Sequence, residues 1–204
     1  MPFPSFFAKA PRIHLRDGLA DFLGAAEDGL MEYGYEDAVR VAGHSCPTVA
    51  GAWLMARAAL RALYPDGLAE RGGVRVTMQA GEDEGTTGVI AQVFTLVTGA
   101  AANNGFHGIG SRFTRHGLLS YGDASVRGIA RVSRIDTGAS VEVSMDLSSI
   151  PPVPQMRRLM MQAMDENAAP DVRAAFGAAW QDRVRRLLLE HADDRAVILV
   201  HPLG

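Results

Sequence analysis

Gly43-His44-Ser45-Cys46-Pro47-Thr48 holds the only cysteine of a 204-residue chain, with a histidine two positions before it and a proline directly after. Proline suits the first position of a helix, where no amide donor is needed, so Pro47 marks a helix start and Cys46 its N-terminal flank. A sulfur at that point lies where the helix dipole favours negative charge. Thiolate and imidazole together are donors for zinc, nickel, iron or copper. The plainer reading is that a lone cysteine packs as a small apolar residue. A His-x-Cys pair also supplies only part of the three or four donors a metal takes.

Upstream, Tyr33-Gly34-Tyr35-Glu36-Asp37 leads into a short helix over Ala38-Val39-Arg40-Val41-Ala42, and Gly43 permits a sharp turn before the next helix. Downstream, about residues 47 to 64 set Val49, Trp53, Leu54, Leu60 and Leu63 on a broad apolar stripe among alanines, the pattern of a slim central helix. Tyr64-Pro65-Asp66-Gly67 ends it. Val74 to Ala80 alternates apolar with polar and predicts a strand with one buried face. That strand runs into Gly81-Glu82-Asp83-Glu84-Gly85, three acids framed by glycines. From Thr86 to Gly99 the β-branched residues suit a strand, but the length and the Val89, Val93, Leu96 and Val97 spacing predict a buried helix. The acids then sit between a strand's exit and a helix's start, where α/β architectures commonly hold chemistry; the equal alternative is that they only complement the helix dipole. Gln92, polar within that apolar helix, needs a partner if buried, and a ligand is one way to supply it.

The first sixteen residues read as an arm with a short extended piece around His14, followed by a helix capped by Asp17 with Leu19, Phe22 and Leu23 on an apolar face. Ala100 to Gly110 is a small-residue loop carrying Asn104 and His107. It lacks the lysine of a phosphate loop and suits close backbone approach. From Arg112 to Leu147 glycines punctuate short β-runs at 112–115, 118–121, 126–136 and 141–145, predicting an antiparallel meander; Arg112, Arg115, Arg127 and Arg131 then face outward, a cheaper explanation than an anionic pocket lined by all four. Pro151-Pro152-Val153-Pro154 marks a boundary between an α+β core, 1–150, and an extension, 151–204. The extension reads as helices over about 155–166 and 171–191, a strand over Ala196 to Val200 and a His201-Pro202 tail. Met156, Met160, Met161 and Met164 give the first of these helices a face suited to core packing or to contact with a second copy of the chain. The predicted fold class is α+β, with helices packed on a mainly antiparallel sheet and a C-terminal helical extension.

Composition narrows the partners. With 48% hydrophobic and 21% charged residues the chain has the balance of an ordered domain, and a formal net charge of -3 offers no general attraction for nucleic acid or an anionic membrane. No apolar run approaches the roughly 18 residues of a membrane span, and Met1 to Phe7 lacks the pattern of a signal peptide. One cysteine excludes an intrachain disulfide and suits a reducing cytoplasm. Small molecules and protein partners are what remain.

Tyr35-x-Asp37, then Gly43-His44-x-Cys46-Pro47 opening an alanine-rich helix, then a strand, an acidic turn, a helix ending Thr98-Gly99, and Gly105-Phe106 before a hairpin, resemble the FmdE-like family of formylmethanofuran dehydrogenase components. The resemblance covers roughly residues 20 to 150. It implies an α+β core, a homodimer, and a bound transition metal in a cleft near His44 and Cys46. Relatives often carry a cysteine and an aspartate where this chain has Glu84, Gly85 and Thr86. Many append a cysteine-rich zinc finger, which one cysteine cannot build.

The expectation drawn from residues and resemblance together is a cytoplasmic transition-metal-binding protein, zinc first and nickel or iron next, with His44 and Cys46 as ligands. Glu84 or Asp83 would give an oxygen donor or orient a metal-bound water. Gln92 and Asn104 would stand behind the ligands, and His107 or His14 is a candidate third nitrogen. Three alternatives stay open: a haem protein with Cys46 as axial thiolate, a non-catalytic dimeric accessory protein, and a cysteine nucleophile with His44 as base.

Overall fold

The computed structural model describes residues 3–203, which form an α+β fold of two sheets and their covering helices. In the smaller sheet β1 (Ile13–Arg16) lies between β2 (Leu30–Tyr33), antiparallel to it, and β3 (Ala69–Glu70), parallel to it. The larger sheet runs in the order β5 (Leu119–Ser120), β4 (Val74–Met78), β6 (Ala130–Arg134), β7 (Ser140–Met145), β8 (Ile198–Leu203). It is antiparallel except at the short β4–β5 edge. The helices are α1 (Gly18–Phe22), α2 (Tyr35–Ala42), α3 (Pro47–Leu63), α4 (Thr87–Thr98), α5 (Met156–Ala163) and α6 (Pro170–Glu190).

Helix α3 is the hub, packing on β7 and β8 and against α4 and α6. Val49, Ala50, Ala52, Trp53, Leu54, Met55, Ala56 and Ala59 on it are at most 1% exposed. Its slimness has a structural use: a Cβ added at Gly51 would stand 2.1 Å from Met145 Sδ, so glycine lets the helix lie close on β7. Trp53 is fully buried, and its indole N–H donates to the Pro11 carbonyl at 3.0 Å, which ties the N-terminal segment to the core.

Gly43 ends α2 in the left-handed region at φ 75°, and Gly99 ends α4 the same way at φ 73°, as their positions in the sequence predict. Thr87 to Thr98 is helix, and β4 buries alternate residues as the pattern requires.

Several expectations change. Residues 112–115 are not a strand: Phe106 O accepts from the amides of Arg115 and His116, so their backbone bonds stay within a loop. The predicted strand over 118–121 shrinks to β5 and pairs parallel with β4, outside the meander. Arg115 does not face outward but is 8% exposed, its guanidinium donating to Asp17 Oδ1 at 2.7 Å. Helix α1 buries none of its residues; Phe22 is 58% exposed and packs on the Phe113 ring at 5.3 Å. Met156 is buried at 8%, while Met161 and Met164 are exposed. His201 and Pro202 are no tail, since they pair with Glu142 and Val141 in β8.

Candidate functional site

The turn between α2 and α3 presents His44, Ser45 and Cys46 in three different environments. His44 is exposed, and its Nδ1 lies 2.9 Å from the Ala42 carbonyl oxygen. A carbonyl can only accept, so the bond places a proton on Nδ1 and, in the neutral ring, leaves the Nε2 lone pair free. Cys46 is 9% exposed and caps α3, its Sγ accepting from the Val49 amide at 3.4 Å. The lone cysteine is therefore both a member of the core and a helix cap.

Ser45 is the most heavily bonded residue of the three. Its Oγ donates to Gln181 Oε1 at 3.0 Å and stands 2.9 Å from the Tyr35 hydroxyl, which must then be the donor of that pair. The Ser45 carbonyl accepts from Trp180 Nε1 at 3.0 Å and from Gln181 Nε2 at 3.1 Å. Burial pushes the Tyr35 hydroxyl well above its ordinary pKa, outweighing the opposite effect of the Ser45 bond, so Tyr35 stays a neutral donor. In the sequence Tyr35 stands out only through the family resemblance. Gln181 and Trp180, more than a hundred residues away, carry no signal there at all.

The remaining candidates fall into separate places. Glu84 is exposed on the acidic turn, where its Oε2 accepts from the Gly81 amide at 3.3 Å; Asp83 is exposed beside it. His107 is exposed and stacks on His116 with ring centroids 4.5 Å apart. His14 is exposed on β1, with Nδ1 3.5 Å from Glu32 Oε2. Among the described residues, no group of three or more His, Cys, Asp or Glu side chains is assembled to hold a metal ion.

Gln92 and Asn104, by contrast, come together. Both line a groove of about 610 Å³ between α4, the loop after it and β5, along with Glu82, Asn103, Tyr121 and Arg71. Val41 also reaches this wall, from the last turn of α2, three residues before His44. Gly105 makes the loop's course possible, because a Cβ there would stand 2.6 Å from the His116 amide nitrogen. Burial, and then the charge of Glu82, hold the Tyr121 hydroxyl above its usual pKa. Gln92 and Asn104 are legible as candidates in the sequence. Tyr121 and Arg71 are not, because their approach depends on how β5 and β3 are placed.

No protein-family model matches the chain, and no curated protein matches it. Among solved structures, the chain is similar to a tungsten formylmethanofuran dehydrogenase FmdE-like protein from Syntrophus aciditrophicus, at 14% identity and a TM-score of 0.44, over 84% of this chain and 73% of that one. A likeness at this level says nothing about the chemistry of the side chains.

Proposed function

We propose that the protein binds a transition-metal ion, zinc first and nickel or iron as alternatives, through His44 Nε2 and Cys46 Sγ. The observation that carries this reading is the His44 Nδ1 bond to the Ala42 carbonyl, which presents Nε2 as a free lone pair two residues from the only thiol. Metal-bound histidines commonly have their second nitrogen tied in this way. A thiolate retains lone pairs for a metal while accepting one amide bond, so capping α3 and ligation are compatible. In donor type the pair fits zinc, nickel or iron; in number it falls short of the three or four ligands of a complete site. The proposed site is therefore open, with its remaining positions left to water, a small molecule or a donor from a second copy of the chain. Glu84 would join as an oxygen donor only if the acidic turn moved from its bond to Gly81. A cytoplasmic, reducing setting belongs to the same proposal, since the thiol must stay reduced.

Atomic-emission analysis of protein purified without a polyhistidine tag tests this. Bound metal should fall in both His44→Ala and Cys46→Ala, with circular dichroism confirming the fold. Metal content unchanged in both variants would overturn the reading.

A second reading, a homodimer with an accessory role, draws on Met161 and Met164, which are 67% and 76% exposed on and just after α5. The haem alternative has less support, because Cys46 is 9% exposed within the core cluster.

A further inference from the structure

The chemistry of the groove lined by Gln92 and Asn104 can be read without reference to any metal. Its volume of about 610 Å³ falls in the range of small-molecule pockets. The side chains around it sort by what they have left to offer. Arg71 is tied back to the protein: Nη1 donates to Asp17 Oδ2 at 2.9 Å, a carboxylate it shares with Arg115, while Nε and Nη2 both donate to the Leu96 carbonyl, at 3.3 and 3.1 Å. Glu82, exposed on the acidic turn, lines the groove together with Tyr121. Asp83 and Glu84 follow it on the same turn and reinforce the sign. Gln92, Asn103 and Asn104 bring three carboxamides, each able to donate and accept at once. The wall is thus one of planar amide edges beside an acidic turn.

We propose that this groove binds a small organic cation of the amidine or guanidine type, whose planar N–H edge meets the carboxamides while its charge faces Glu82. A neutral amide of the same shape would keep the edge contacts and lose the charge contact. A carboxylate would be repelled.

Benzamidine, benzamide and benzoate form a matched series of cation, neutral molecule and anion. Their binding can be followed by two-dimensional nitrogen NMR on the whole protein, with a chelator present so that metal content does not enter. The expected order is benzamidine, then benzamide, then benzoate, with a step of about threefold between the first two, as for an exposed charge pair. Glu82→Gln should abolish the difference between benzamidine and benzamide. Gln92→Leu should weaken both, with Asn104→Ala as the substitute variant if that protein does not fold. Benzoate binding as well as benzamidine, absence of binding by all three, or an unchanged preference in Glu82→Gln would each overturn the proposal.

Discussion

The hydroxyl of Tyr35 lies 2.9 Å from Ser45 Oγ, and that contact joins α2 to the turn that carries His44 and Cys46. From Ser45 the connection continues to Gln181 on α6, so a helix near the C-terminus braces a corner built near the N-terminus. Removing the Tyr35 oxygen leaves Ser45 its Gln181 bonds and leaves no buried donor without a partner. Tyr35→Phe should therefore cost only about 1 kcal/mol in urea unfolding. Gln181→Leu takes away both of the side chain's bonds to Ser45 and should cost more, about 2 kcal/mol.

Cys46→Ser and Cys46→Ala separate capping from ligation. Serine is a strong N-cap and can accept the Val49 amide in place of sulfur, whereas alanine cannot. Thermal unfolding should place Cys46→Ala about 1 kcal/mol below Cys46→Ser. Bound metal should fall in both variants, because a serine hydroxyl is a poor substitute for a thiolate. Full metal retention in Cys46→Ser would assign the sulfur to capping alone.

Asp17 is 3% exposed and accepts from Arg115 and Arg71 as well as from the amides of Leu19 and Ala20. Burial raises its pKa, but the Arg71 hydrogen bond, the Arg115 charge and the Ala20 amide together outweigh burial and hold the carboxyl below its ordinary value. A carboxyl depressed in the folded state contributes stability that is fully present above its unfolded pKa of about 3.9 and is lost as pH falls through the folded value. Asp17→Asn should cost about 3 kcal/mol at pH 7, since it leaves two guanidinium groups partly or fully buried without their counter-charge. The difference between wild type and variant should narrow below about pH 4 in acid titrations followed by tryptophan fluorescence.

Gly72 has φ of 85°, and a Cβ there would fall 1.1 Å from Arg115 Nη1. The guanidinium donates to the Arg71 carbonyl beside it, so it has little room to withdraw. Gly72→Ala should lower the melting temperature by at least as much as Asp17→Asn, through strain at positive φ and displacement of Arg115. Gly67→Ala, where a Cβ meets nothing, is the control and should change it little.

If the chain forms a dimer through α5, Met161→Glu combined with Met164→Glu should shift the species seen by light scattering to the monomer. The same double variant should leave metal content as in wild type.

Local pattern in the sequence determined those elements whose formation depends on neighbours along the chain. The alanine-rich stripe after Pro47 dictates a slim buried helix, alternation dictates β4, and Gly43 and Gly99 dictate stops because only glycine enters the left-handed region without strain. Alternation at 112–115 promises a strand in the same way and does not make one. A strand also needs a free edge to pair with, and the amide of Arg115 finds Phe106 O first. Likewise no periodicity announces that Arg115 will be buried, because its charge is compensated by Asp17, ninety-eight residues earlier. His44 and Cys46 are legible as a pair because they are covalent near-neighbours. The meeting of Gln92 with Asn104, and of Ser45 with Gln181, was decided only when the chain folded. Periodicity records which face of a segment avoids water; which polar group completes which depends on the path of the whole chain.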